Sequence, residues 1–172
     1  MLAQKLDPFA LQIQVGVGTH FSNIRQYDRG IDELKKAFEI TPDFAGAHHW
    51  IGRTYLGKEM PAEALAEFER SESVRGSSLE QAIALWKLGK QQEAMALVSE
   101  TRQSAETRFV DPSFFAEFYA QTGEIDEACR WLEEAYQQRS IKFIWLRGNW
   151  LLDPLRSDPR FVEILEKMGL KT

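Results

Sequence analysis

The side chains of this sequence best suited to chemistry are three histidines, one cysteine and a large stock of carboxylates. His48 and His49 are adjacent, which on a helix points them about 100° apart and keeps them from sharing a metal ion. His20 stands apart from both. Cys129 has no second cysteine to complete a zinc site or an intrachain disulfide. There is no His-Glu-x-x-His run and no Gly-x-Ser-x-Gly elbow. Gly16-Val17-Gly18 lacks the preceding strand and the third glycine of a phosphate loop. The acidic residues alternate with Lys, Arg and Gln, the pattern of solvated helix exteriors rather than of a carboxylate pair. The sequence thus points away from an enzyme, and neither a metal nor a cofactor is expected.

Composition narrows the alternatives. The 172 residues are 44% hydrophobic and 27% charged, enough apolar material for a folded domain with a sizeable core. A net charge of −5 argues against direct binding of nucleic acid, which needs clustered cations to neutralise phosphates. No apolar run approaches the ~18 residues of a spanning helix, and the start lacks a signal-peptide core, so no membrane is expected. A lone cysteine suits a reducing compartment, and the cytoplasm is the expected location.

The elements must therefore position binding groups instead of catalytic ones. Ala45–Ser78 reads as two amphipathic helices around a turn at Lys58-Glu59-Met60. Trp50, Ile51, Tyr55 and Leu56 form the apolar stripe of the first; Ala64, Leu65 and Phe68 form that of the second. Moving back 34 residues sets Gly52 on Gly18, Tyr55 on Phe21, Ala64 on Gly30 and Phe68 on Leu34. Moving forward, Ala82 and Ala116 take the small first-helix positions, and Ala94 and Ala128 the second. Gly89 and Gly123 stand five residues before those alanines, where one helix must stop and the next begin. Small residues let helix axes approach closely while Tyr, Phe and Leu fill the adjoining grooves.

With this period, the runs Trp50–Gly57, Glu63–Ser71, Tyr27–Pro42, Gly89–Val98 and Gly123–Gln137 resemble the helices of tetratricopeptide (TPR) repeats. The resemblance implies an all-α fold, a right-handed α-solenoid of helix-turn-helix pairs with a C-terminal helical cap. Residues 1–10 are expected to be the tail of a preceding repeat in a longer protein. Residues 11–142 are expected to form four repeats, at about 11–44, 45–78, 75–108 and 109–142. The third is shortened, with Leu79–Leu88 about one turn short. Predicted second helices run over 27–40, 61–74, 91–105 and 124–138. Asp43, Asp111, Asp153 and Asp158 are the expected N-caps, the last three each followed by proline. Residues 143–172 depart from the period and are expected to cap the last repeat, as a solenoid end requires. Asp153–Phe161 resembles the ending of repeat arrays in larger bacterial regulatory and signalling proteins.

In this family the first helices line the concave face, so the resemblance implies a scaffold binding a peptide or helix of a partner protein there. Counting from the small residues, it assigns Thr19, Asn23, His49, Arg53, Trp86, Lys87, Glu117 and Gln121 to that face, with Trp86 as aromatic anchor. Asn23 and Arg53 match part of the clamp by which some members hold a terminal carboxylate. Thr19 stands where that clamp wants a basic group, so the clamp is not expected. The alternative is a structural module that forms a homodimer through Phe143, Trp145 and Trp150.

Overall fold

The computed structural model describes residues 10–71 and 77–170. The expected tail over 1–10 falls, but for Ala10, outside them, as does Arg75-Gly76 before the third repeat. Helices α1 (Ala10–Asn23), α2 (Tyr27–Lys35) and α3 (Ala37–Ile40) come first, followed by α4 (Ala45–Gly57) and α5 (Pro61–Glu69). Then come α6 (Ser77–Lys87), α7 (Gln91–Ser104), α8 (Pro112–Thr122) and α9 (Ile125–Gln137). Two 3₁₀ segments, η1 (Ile141–Gly148) and η2 (Trp150–Leu155), lead to α10 (Pro159–Lys167). The described residues contain no strand. α1 packs on α2, α4 on α5, α6 on α7 and α8 on α9, and successive pairs stack through α2–α4, α5–α6 and α6–α8.

The small residues sit where axes cross. A Cβ on Gly18 would lie 2.5 Å from Leu34 Cγ and 2.9 Å from its backbone nitrogen. One on Gly52 would lie 2.7 Å from the Phe68 ring. Ala64, Ala82, Ala94, Ala116 and Ala128 are fully buried at the corresponding crossings. Gly89 (φ +78°) and Gly123 (φ +86°) take the left-handed conformation that ends α6 and α8. Asp111 caps α8, its Oδ1 accepting from the Ser113 amide at 2.9 Å, and Asp158 caps α10, accepting from the Arg160 amide at 2.9 Å. Arg160 also bonds the Asp158 side chain, which holds that carboxyl down at about 2.

Several local expectations change. The helix predicted over 27–40 is interrupted at Lys36, whose amide bonds Glu33 O three residues back, a 3₁₀ turn between α2 and α3. Asp43 is not the cap of α4. It sits at φ +56° and its Oδ1 lies 2.9 Å from His48 Nε2, while Phe44 occupies the cap position. Asp153 caps nothing: Pro154 lies inside η2, and Asn149 provides the cap through Oδ1 and the Leu151 amide, 3.2 Å apart. α6 begins at Ser77, ahead of the expected Leu79, and its 11 residues equal those of α8.

The C-terminal region serves two places. α10 packs against α9, burying Phe161, Ile164 and Leu165 as a terminal cap would. η1 and η2 instead turn back over the first helices, η2 resting on α8. We call residues 141–155 the strap. Its apolar side chains Phe143, Leu146, Trp150, Leu151, Leu152 and Leu155 are buried, the larger ones inside the main core.

The crossing at Gly52 yields a stability prediction. Gly52→Ala would set a methyl against a closed aromatic ring, and overpacking of this kind costs about 1–3 kcal/mol. Urea unfolding should register that loss, with Gly16→Ala, where a Cβ meets nothing within 4 Å, no less stable than the parent. Equal midpoints for parent and Gly52→Ala would refute the close approach.

Candidate functional site

Three first helices, α4, α6 and α8, bring charged residues to one shared face, where apolar neighbours isolate them. Arg53, on α4, points between α6 and α8. Its Nη1 donates to Glu80 Oε1 on α6 and, at 3.1 Å, to Glu117 Oε2 on α8. Arg53 is 4% exposed, Glu80 1% and Glu117 0%. His49, one helical turn before Arg53, is buried with Nδ1 3.1 Å from Glu80 Oε2. Trp50 and Trp150 flank the guanidinium, with ring centroids 5.3 and 5.7 Å from Cζ.

The strap completes this cluster. Asn149 Nδ2 donates to Glu117 Oε1 at 2.7 Å, and Arg53 Nη2 donates to Asn149 Oδ1 at 3.4 Å. The side-chain amide is thus held from both ends. Lys142 Nζ donates to Glu117 Oε1 at 2.8 Å and lies 3.4 Å from the Phe114 ring centroid. Gln121 Nε2 donates to the Leu151 carbonyl at 2.8 Å. At the other end of the array, Arg25 Nη2 meets Asp153 Oδ2 at 2.6 Å, and Trp150 packs edge-on against Tyr27. A Cβ on Gly57 would come within 2.9 Å of Trp150 Nε1, so that glycine makes room for the indole.

The electrostatics follow from burial and pairing together. Burial alone would raise the Glu117 carboxyl, but Arg53 and Lys142 outweigh it and bring the group to about 2. Burial pushes the Arg53 guanidinium down, while Glu117 and Glu80 more than restore it, so it stays charged. Burial lowers His49 against the opposing pull of Glu80, which favours a neutral imidazole. Burial also lowers Lys142, partly offset by Glu117.

The residues assigned from the sequence divide into two groups. Those nearest the helix crossings are buried. Thr19 donates to Val15 O at 2.8 Å, and His49, Arg53 and Glu117 belong to the ion cluster. Burial holds all four away from solvent, and the strap and mutual pairing also occupy Arg53 and Glu117. Those one turn further along form a half-exposed rim: Asn23 beside Gly148, Trp86 edge-on to Phe118 at 6.0 Å, Lys87 paired with Glu59 at 2.9 Å, and Gln121. The aromatic surface expected of Phe143, Trp145 and Trp150 is not formed. Phe143 and Trp150 turn into the core, and Trp145, 50% exposed, is the one of the three that faces solvent.

Sequence reasoning passed over Glu80, Lys142 and Asn149. Two signals were present: Glu80 and Glu117 interrupt the apolar runs LEQAIALW and FFAEFYA, and a carboxylate placed there must find a buried cation. No helix among the described residues is long and apolar enough to cross a membrane.

No protein-family model matches the chain, and no curated protein matches it. Solved structures do. The chain is similar to YrrB, a TPR protein with an unusual peptide-binding site, at 20% identity over 96% of this chain and 88% of that one, with a TM-score of 0.51. It is similar to MamA at 16% identity, 95% and 96% coverage and a TM-score of 0.50. It also resembles the TPR-like repeats of a putative kinesin light chain from Podosopora anserina, at 18% identity, 95% coverage of both chains and a TM-score of 0.54. At such identities the likeness is one of fold: an all-α solenoid of the tetratricopeptide-repeat type.

Two stability predictions follow from the cluster. Arg53→Ala leaves buried Glu80 without its cation and Glu117 with Lys142 alone, and breaking a buried pair in this way costs about 3–5 kcal/mol. Urea unfolding of the variant measures it, and a loss under about 1 kcal/mol would remove Arg53 from the centre of the fold. The second concerns acid. Because the folded Glu117 carboxyl lies below its unfolded value of 4.5, its contribution is complete above that value and fades as pH falls toward about 2. Thermal melting of the parent should therefore drop more steeply over that window than melting of Glu117→Gln. Parallel curves would contradict the assignment.

Proposed function

We propose that this chain is a non-catalytic scaffold, working in a reducing cytoplasm, that binds a peptide or helix of a protein partner on the side lined by its first helices. The observation that carries this reading is the chemistry by which that side already holds the strap. A side-chain amide is taken at both ends by Arg53 and Glu117, and a main-chain carbonyl is taken by Gln121. Donors and acceptors of this kind are what hold a short segment of any protein chain. YrrB, whose fold this chain shares, is described by its peptide-binding site.

The burial of the strap supports a partner seated outside it. Burying a large apolar side chain contributes about 1.5–3 kcal/mol, and six of them are buried in the strap. Their sum is on the order of 10 kcal/mol, comparable to the whole stability of a domain. A partner that had to expel the strap would find the open state too rare to bind usefully. In this proposal the partner lies over the strap and against the rim of Asn23, Trp86, Lys87 and Gln121, all half-exposed.

Peptides selected from a random display library against the folded chain, then titrated by fluorescence polarisation, test this reading. Lys87→Glu combined with Asn23→Lys should weaken the selected peptides by about tenfold while leaving the circular dichroism melt unchanged. A library that yields no binding peptide, or peptides indifferent to both substitutions, would sink the proposal.

A further inference from the structure

We infer that the segment received on this side is acidic, and that it docks on Trp145 and the arginines gathered around the outer surface of the strap. The inference rests on the scaffold reading above and names the chemistry of its partner. Trp145 is the exception among the large apolar residues described in the strap: the others are buried, whereas half of Trp145 faces water. A half-exposed indole on a short, well-anchored segment is the side chain that most often anchors an interface.

Its surroundings carry positive charge that folding does not use up. Arg25 and Arg156 both bond to Asp153, at 2.6 Å each, so one carboxylate serves two guanidiniums. Their side chains remain 58% and 37% exposed. Arg156 Nη2 also donates to the Arg147 carbonyl at 2.9 Å, which ties the group to η1 two residues beyond Trp145. The guanidinium of Arg147 itself is exposed and makes no hydrogen bond or ion pair among the described residues.

This concentration stands against the sign of the whole molecule, which carries a net −5. Two arginines share one aspartate and Arg147 has no carboxylate partner among the described residues, so three guanidiniums stand against one carboxylate on the segment that carries the exposed indole. Guanidinium groups take carboxylates through paired, charge-assisted hydrogen bonds, and the indole takes an apolar side chain. The complementary ligand is a protein segment that alternates carboxylates with aliphatic or aromatic residues. A nucleic acid offers phosphates to the same groups, but the rest of this acidic chain repels a polyanion that extends beyond the patch.

The full chain can be titrated with three dye-labelled probes: a synthetic peptide alternating glutamate and leucine, its glutamine–leucine counterpart, and an oligothymidine of similar length. The glutamate peptide should bind, lose affinity as sodium chloride rises, and weaken about tenfold with Arg147→Glu and again with Trp145→Ala. Both variants change exposed side chains and should melt as the parent does. Equal binding of the glutamine peptide, tighter binding of oligothymidine, or indifference to both substitutions would overturn the inference. So would a fall in solution mass by light scattering with Trp145→Ala, because the occupant would then be a second copy. If library peptides bind the rim while the glutamate probe does not, only this inference fails. If no peptide binds, the scaffold reading fails with it.

Discussion

The buried pairing of Arg53 with Glu80 and Glu117 is the constraint on which the remainder of the molecule depends. One guanidinium on α4 satisfies carboxylates on α6 and α8, so three successive helix pairs share a single electrostatic centre. Each carboxylate would be unstable in the core without it, and the guanidinium would be unstable without them. The same centre dictates the strap: Asn149 and Lys142 supply the donors that Glu117 still lacks. Polar satisfaction thus connects parts of the chain that apolar packing alone would leave free to slide.

Around that centre the array is steric. Its spacing was legible in the sequence because the demand it answers is local and repeated. Gly18 admits Leu34, Gly52 admits Phe68, and buried alanines hold the same places in later pairs. Helix stops were equally readable, since Gly89 and Gly123 adopt conformations that disfavour other residues. Asp111 and Asp158 precede proline and cap as expected, whereas Asp153, which also precedes proline, and Asp43, which follows one, do otherwise. The difference lies in tertiary partners: His48 draws Asp43, and Arg25 with Arg156 draws Asp153.

The candidate face was legible only in outline. Counting from the small residues picks out positions along the first helices, but it does not tell a residue open to solvent from one beneath the strap. That distinction is set by a segment about a hundred residues away from Arg53 in sequence, and no periodicity reports on it. The ion cluster did leave a trace, in the glutamates that interrupt apolar runs. The aromatic residues after residue 142 left two readings open, a cap or an outer surface, and Phe143 and Trp150 turn inward while Trp145 does not.

The contacts of Arg25 with Asp153 and of Tyr27 with Trp150 have a consequence for how the chain comes to be folded. An open repeat array contacts only its neighbours and can assemble from either end, one unit at a time. Here the first helix pair is fastened to a segment from the far end, which makes the array a closed loop in contact space. Such pairings across long stretches of chain slow folding, since loop closure must precede the gain. A ribosome would therefore release the early repeats as an unfinished, partly open row. The row locks into a single cooperative body only once the strap, residues 141–155, has been made.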